Sequence, residues 1–269
     1  VENDKQGYAV SCAVFGYRLG ALISGAGALA LADIFGWRFC FQIMSVLIIG
    51  FSSVIPFLKE QKYSPKSPSS NISKFIEPLR EFLSRKSAFI IIIAIILYKV
   101  GDVLLGFLSV PFYLELGYTK LQISSIVKFY GFAAMTIGTI IGGYVVQKLG
   151  NLKALIICGF FSAIVNFAFI WLHYAPVEDL SLLITITIEN LGSGAGTCAE
   201  VAYLSSLCNR NYSASQYALF SSIATLMNST ISIFSGSVVE TIGWDMFFAL
   251  TVAISFPAIY LFYILDKRK

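Results

Sequence analysis

Polar and charged side chains inside apolar stretches are the residues of this sequence that could do chemistry. The stretch at 184–203 is apolar enough to lie in a bilayer, yet it carries Glu189 and Asn190. Residues three, four and seven apart share one helix face, so Glu189, Gly192 and Gly196 form a single stripe. Because an ionisable group inside a membrane costs a few kcal/mol or more, it normally faces a partner or a water-filled path. We therefore expect this stripe to face such a path rather than lipid.

Four more charged residues lie inside other apolar stretches. Arg18 is about ten residues, roughly 15 Å, into its stretch, which is deep for a side chain that snorkels to the surface. Arginine suits an anionic ligand because its planar fork holds a carboxylate bidentately. Lys99 and Asp102 can form an ion pair at i, i+3; alternatively, Asp102 exchanges a proton while Lys99 binds substrate. Lys128 lies near the outer end of its stretch, so snorkelling and a cavity role both stay open.

Two further ionisable residues are less informative. Glu200 lies near the inner end of its stretch, where its carboxylate can reach water. His173 is the single histidine and lies at the outer end of its stretch. A lone histidine at an interface is more often a polar cap than a pH switch. We therefore expect no proton coupling from His173.

Small residues at four-residue spacing predict close packing between helices. Three such pairs occur: Gly16 with Gly20, Gly138 with Gly142, and Gly192 with Gly196.

The composition is that of an integral membrane protein. The chain has 269 residues, of which 57% are hydrophobic and 13% charged, whereas charge in a soluble domain runs at roughly a quarter. Apolar runs of about twenty residues favour an all-α membrane protein over a barrel. The net charge of +4 does not indicate nucleic-acid binding, because the basic residues lie in short loops between these runs. Five cysteines without a CxxC motif are interpreted as small buried hydrophobes, and we expect neither a metal nor a cofactor.

Hydropathy predicts eight transmembrane spans. They are residues 8–32, 37–58, 88–112, 122–146, 152–173, 181–205, 216–239 and 246–265. Most Lys and Arg residues lie at one set of span ends, which the positive-inside rule assigns to the cytoplasm. Both termini of this chain are therefore expected to be cytoplasmic.

One long connection divides the spans into two and six. Residues 59–87 separate residues 1–58 from residues 88–269, and they begin with a Pro-, Ser- and Lys-rich segment that should be flexible. Apolar residues then recur at helical spacing, which predicts an amphipathic helix at the inner membrane surface. These residues are Phe75, Ile76, Leu79, Phe82 and Leu83.

Several long strings in one order carry a resemblance to a known family. They are GYRLG at 16–20, YKVGD at 98–102, ENLGSGAG at 189–196, CNRNYSASQYALFSS at 208–222 and GW at 243–244. With them the chain resembles the AmpG family of muropeptide permeases, which are similar to major facilitator transporters of the bacterial inner membrane. The resemblance covers essentially the whole chain, as that family's fifth to twelfth helices. The chain departs from the family pattern at Glu200, where an apolar residue is usual.

The resemblance implies proton-coupled import of anhydromuropeptides, for peptidoglycan recycling. It implies that Arg18, Lys99, Asp102 and Glu189 line the cavity. The peptide carboxylates of the cargo suit the basic residues, and its sugar hydroxyls suit Asn190 and Gln216. The resemblance also implies that this chain is a fragment of a monomeric transporter without the first four helices, which a separate polypeptide could supply. The expected partners are lipid, muropeptide and protons, and not nucleic acid.

Other functions remain open. A facilitator fold does not fix its cargo, so a peptide, a sugar or acyl-CoA is possible, and so is an inactive product of a shortened gene. A membrane enzyme is disfavoured because the short loops contain no HxxxH, DxxD or GxSxG constellation.

Overall fold

The computed structural model describes residues 6–57, 73–209 and 212–267. All regular elements within these ranges are helices. They are α1 (Gln6–Leu22), α2 (Ala28–Phe35), α3 (Trp37–Ser52), α4 (Ser73–Leu83), α5 (Ala88–Leu116), α6 (Lys120–Gln122), α7 (Gly131–Leu149), α8 (Asn151–Val165), α9 (Phe167–Tyr174), α10 (Asp179–Leu207), α11 (Ser213–Ser232) and α12 (Ser235–Lys267). The predicted flexible segment at 59–70 lies outside the described residues.

Two helices contain a turn of π-helix rather than a break. The π segment Ile23–Gly27 joins α1 to α2, and the π segment Ile123–Tyr130 joins α6 to α7. The backbone is therefore helical over residues 6–35 and 120–149. A π turn rotates the side chains that follow it relative to a regular helix, and such turns often occur at functional sites. Lys128 lies in the second of them.

Glycines end the long helices where the chain reverses with almost no linker. Gly150 is the single residue between α7 and α8, and its φ of 79° is accessible to glycine at little cost. Gly243 has a φ of 77° inside α12 and divides this helix into two segments. The predicted turns near these two positions thus coincide with residues that need positive φ.

Five stretches of the described chain are long and apolar enough to cross a membrane. They are Trp37–Phe57, Ala88–Leu116, Lys120–Leu149, Asn151–Tyr174 and Ser235–Lys267. The other three predicted spans are helical over most of their length but do not belong to these five. The all-helical membrane class is confirmed, and the number of eight spans stays a prediction.

The predicted span at 216–239 differs from the observed helices. Helix α11 ends at Ser232, and α12 begins at Ser235. The hydroxyl of Ser232 donates to the carbonyl of Ser229, and that of Ser235 donates to the carbonyl of Ser232. Such local side-chain bonds offer the backbone an alternative to the continuous helical ladder. Apolarity alone could not predict this interruption.

Contacts divide the chain into two units, residues 12–67 and residues 1–11 with 68–269. In the smaller unit, α2 and α3 form a hairpin around Gly36, and the Cys40 thiol donates to the carbonyl of Ala28 at 3.3 Å. The apolar side chains of α3 remain largely exposed; examples are Phe51 and Ile49. This helix therefore has an apolar surface suited to lipid or to further helices.

An aromatic core holds one end of the larger unit. Phe112 of α5, Phe169 of α9 and Phe248 of α12 are fully buried and in mutual ring contact. Trp244 packs on Phe112 at a centroid distance of 4.9 Å. Aromatic contacts of this kind contribute beyond the area that they bury. The helices α5, α9 and α12 are thus fixed together at this end, and α5 also carries the charged residues Lys99 and Asp102.

Candidate functional site

Lys99 is the centre of a charged cluster between three helices. Its Nζ donates to Oδ2 of Asp102 at 3.0 Å and to Oγ1 of Thr197 at 3.0 Å. The other carboxylate oxygen of Asp102 accepts a hydrogen bond from the Ser162 hydroxyl at 3.3 Å. The ammonium of Lys99 also lies 4.0 Å from Oε2 of Glu200. We call these five residues the Lys99 cluster; they come from α5, α8 and α10.

The cluster is sequestered but not sealed. The side-chain exposures of Lys99, Asp102 and Glu200 are 21%, 17% and 12%. These groups therefore retain a small contact with solvent, while the helix packing keeps most of the bulk solvent away. Electrostatic interactions are stronger in such surroundings than at an open surface. An anion or a proton that enters here changes the energy of the whole cluster.

Close helix packing positions the cluster. Tyr98, next to Lys99, lies so near α8 that a Cβ on Gly159 would come within 2.4 Å of its ring. The hydroxyl of Tyr98 donates to the carbonyl of Gly196 at 3.3 Å, which ties α5 to α10. On the next turn, a Cβ on Gly101 would lie 2.6 Å from the carbonyl oxygen of Thr251 in α12. Glycines thus let α5 approach two neighbours closely and fix the direction of Lys99.

The glycines of α10 face two different helices. A Cβ on Gly192 would lie 2.7 Å from Val165, and one on Gly196 would lie 3.3 Å from Ser162, both in α8. Gly194 lies on another face of α10, against the backbone of α7. A Cβ on Gly194 would lie 2.4 Å from the carbonyl oxygen of Met135. The stripe of Gly192 and Gly196 therefore packs against protein rather than lining an open path.

The glycines of α7 complete this contact. A Cβ on Gly138 would lie 2.4 Å from the carbonyl oxygen of Leu191, and one on Gly142 would lie 2.7 Å from Ala195. The backbones of α7 and α10 approach so closely only because both helices have small residues here. In the unit of residues 12–67, a Cβ on Gly16 or Gly20 would meet no described atom within 4 Å.

Glu189 and Asn190 form a second polar position on α10. The amide of Asn190 donates to Oε2 of Glu189 at 2.7 Å and to the carbonyl of Ile186 at 2.9 Å. Glu189 is half-buried, and it precedes Thr197 by eight residues, or about 12 Å along the helix. The structure thus places Glu189 away from the Lys99 cluster, although one helix carries both.

Gln216 has a different environment from the one that the sequence suggested. Its side chain is fully buried; its Nε2 donates to Oε2 of Glu81 at 2.5 Å and to the carbonyl of Pro78 at 3.0 Å. Its Oε1 accepts from the backbone N–H of Asn209 at 2.7 Å. Because protein groups occupy both ends of this amide, we leave Gln216 out of the candidate substrate site.

The same contacts place the amphipathic helix α4. Phe82 is fully buried against Phe220 of α11, with ring centroids 4.6 Å apart. Arg85, just beyond α4, donates to the carbonyl of Leu207 at 2.7 Å. Helix α4 therefore docks on the ends of α10 and α11 through part of its apolar face, while Ile76 and Leu83 stay exposed; its position at the inner membrane surface stays a prediction.

The remaining predicted residues are more exposed or lie apart. Lys128 is exposed on the π segment between α6 and α7. Arg18 is half-buried in α1 and belongs to the unit of residues 12–67. His173 contacts Oδ1 of Asp245 through Nδ1 at 2.7 Å, so α9 and α12 share this polar contact. Neither Lys128 nor His173 lies in the Lys99 cluster as defined above.

The sequence analysis missed two members of the cluster, because Thr197 and Ser162 were not singled out. Glu200 was named as a less informative residue that reaches water near the inner end of its stretch, and its contact with Lys99 was not foreseen. Thr197 and Glu200 are three residues apart on the glycine-rich helix, which is a signal that could have been used. Ser162 lies in an apolar helix, and its spacing gives no comparable signal.

A comparison with known protein families agrees with the all-helical membrane fold. Residues 1–231 and 103–269 match the family model described as "Major Facilitator Superfamily". The chain belongs to the Major Facilitator Superfamily, and it is a multi-pass membrane protein.

The described residues contain no group of three or more His, Cys, Asp or Glu side chains that could hold a metal ion.

Individual relatives show which transporters within this superfamily the chain is similar to. The chain is 42% identical to "Putative transporter AmpG 4" of Rickettsia conorii over 99% of its own length and 66% of the relative's length. It is 32% identical to the "Anhydromuropeptide permease" of Escherichia coli K12 over 96% and 53% of the two lengths. The chain thus spans between half and two-thirds of these relatives. The resemblance to AmpG transporters is confirmed.

Proposed function

We propose that this chain is part of a proton-coupled importer of anhydromuropeptides in the bacterial inner membrane. The observation that carries this proposal is the Lys99 cluster, in which an ammonium and two carboxylates are sequestered between apolar helices yet stay partly exposed. Charges in such a position face a substrate or an ion path, since they would otherwise be too costly to keep in a membrane. The similarity to the anhydromuropeptide permease of Escherichia coli supports the choice of cargo.

The chemistry of the cargo fits the cluster. An anhydromuropeptide carries peptide carboxylates, and Lys99 can attract one of them as a point charge. The hydroxyl of Thr197, 3.0 Å from Lys99, can bond to a carboxylate or to a sugar hydroxyl. Lys99 and Thr197 therefore form the proposed binding pair, while Asp102 holds the ammonium in place.

Transport would follow alternating access. The helices of residues 88–269 would move as one block against the helices that precede them, so that the cluster is exposed to each side in turn. In this proposal both termini of the chain are cytoplasmic, the chain makes eight spans, and the transporter acts as a monomer. A separate polypeptide that supplies further helices is compatible with it.

Uptake of a radiolabelled anhydromuropeptide tests the proposal. The chain is expressed in bacteria that lack their own anhydromuropeptide permease, and uptake is measured with and without a proton uncoupler. We expect uptake that the uncoupler abolishes and that Lys99→Gln strongly reduces. The matched control is Lys153→Gln, since Lys153 is exposed at the start of α8 and outside the cluster.

Three results would contradict parts of the proposal. Uncoupler-insensitive uptake rules out proton coupling. Efficient competition by an unrelated peptide, sugar or acyl-CoA changes the cargo and keeps the transporter class. Absence of uptake for every solute, with the protein present in the membrane, favours an inactive product of a shortened gene.

A further inference from the structure

The Lys99 cluster contains one more negative charge than positive charge. When all its groups are ionised, the single ammonium of Lys99 faces the carboxylates of Asp102 and Glu200. All three are mostly buried, so water compensates the excess charge poorly. Two carboxylates that share one cation cannot both remain charged at low cost, and one of them is the natural place for a proton.

The hydrogen bonds distinguish the two carboxylates. Asp102 accepts from Lys99 at 3.0 Å and from Ser162 at 3.3 Å, and both bonds favour its charged form. Glu200 lies 4.0 Å from the Lys99 ammonium, which is beyond hydrogen-bond distance. Glu200 is also the less exposed of the two, at 12% against 17%. The geometry therefore stabilises the charge on Asp102 more than the charge on Glu200.

The neighbours of Glu200 add no second cation in the described ranges. From α5, Lys99, Asp102 and Tyr98 face it, and from α11 Tyr217 lies within electrostatic range. Both tyrosines are neutral when protonated and cannot balance a carboxylate. Lys99 is thus the cation that the two carboxylates share.

We propose that Glu200, rather than Asp102, carries the exchangeable proton of this transporter; the assignment rests on the proposed function. A proton from the outer side binds the Glu200 carboxylate and brings the cluster from one negative charge to neutrality. The substrate carboxylate then binds at Lys99 without facing an excess negative charge. After the block moves, the substrate leaves, and Glu200 releases the same proton to the cytoplasm. Because coupling is reciprocal, bound substrate also favours the proton on Glu200.

Proteoliposomes that contain the chain test which carboxylate is coupled. Accumulation of radiolabelled anhydromuropeptide is measured with and without an imposed pH gradient, for the wild type, Glu200→Gln and Asp102→Asn. We expect Glu200→Gln to lose accumulation: its uptake should stop when the substrate concentrations inside and outside are equal, and the imposed pH gradient should not change it. Asp102→Asn should weaken uptake but leave the remainder gradient-dependent. Glu115→Gln, at an exposed position of α5, is the control and should behave like the wild type.

A second measurement reads protonation without any substrate. The infrared spectrum of the purified wild-type chain at neutral pH should contain a carboxylic-acid band. This band should be absent from the spectrum of Glu200→Gln and present in that of Asp102→Asn. The assignment is overturned if Glu200→Gln keeps the band, or if it accumulates substrate like the wild type. If the wild type transports no muropeptide while the band behaves as expected, the proposed cargo fails and the protonated Glu200 stands.

Discussion

Two clusters in the larger unit each contain an ion pair between residues three or four apart in the chain, but their surroundings differ. Lys99 and Asp102 lie three residues apart in α5, with exposures of 21% and 17%. Glu81 lies in the last turn of α4 and Arg85 lies just beyond this helix, with exposures of 32% and 30%. The first pair has a second carboxylate, Glu200, 4.0 Å from its ammonium. The second pair has the neutral amide of Gln216 as its neighbour.

The difference shows which of the clusters can respond to a proton or an anion. The Glu81 cluster, which we define as Glu81, Arg85 and Gln216, has balanced charge and bonds to the protein backbone at Pro78 and Leu207. Such a cluster fixes α4 against its neighbours. The Lys99 cluster has excess negative charge, so one more positive charge would stabilise it. An ion pair alone therefore does not indicate transport chemistry; the charge balance around it does.

The largest expected effect comes from removing the cation of the Lys99 cluster. Lys99→Met leaves Asp102 and Glu200 sequestered without a counter-ion. Losing one partner of a buried ion pair typically costs about 3 kcal/mol or more. We expect a clear fall in the melting temperature of the purified protein and loss of uptake. The double variant Lys99→Met/Asp102→Asn should recover melting temperature but not uptake, and recovery of uptake would contradict the binding role of Lys99.

A smaller effect is expected from the Glu81 cluster. Gln216→Ala removes the groups that bond to Glu81, Pro78 and Asn209, and a lost buried partner costs roughly 1–3 kcal/mol. We expect a lower melting temperature and little change in uptake per folded molecule. Ser222→Ala, at an exposed position of the same helix α11, is the control. If Gln216→Ala abolished uptake at unchanged stability, Gln216 would belong to the substrate site after all.

The smallest effect is the pH dependence of the Glu81 cluster. Burial raises the pKa of Glu81, but hydrogen bonds from Gln216 and Arg85 outweigh it, and the pKa lies below its usual value of 4.5. A carboxyl whose pKa is lowered by folding contributes stability above its unfolded value, and this contribution is lost as pH falls through the lowered folded value. The protection factors of the α4 amides, which are exchange rates corrected for the intrinsic effect of pH, should therefore fall on acidification below about pH 4.5. The variant Glu81→Gln should lack this acid-dependent step, and an identical step in both proteins would contradict the assignment to Glu81.

Much of the fold follows from local patterns in the chain. Runs of apolar residues predict the helices, and the structure has a helix at each predicted position, with breaks at Gly150 and Gly243. The ion pair of Lys99 and Asp102 was one of two interpretations left open, and it is present because i, i+3 spacing within one helix brings the groups together. The interruption between Ser232 and Ser235 was missed, since hydropathy does not register side-chain bonds to the backbone.

The sequence by itself determined the class of protein, because hydrophobicity, helix periodicity and family strings are properties of the chain read locally. Only the tertiary structure decided which distant residues meet. Glu200 joins Lys99 across about a hundred residues, and Gln216 meets Glu81 across 135. The glycines of α10 divide between α7 and α8 for the same reason. Helix periodicity gives the face on which a residue lies, and packing decides what that face contacts.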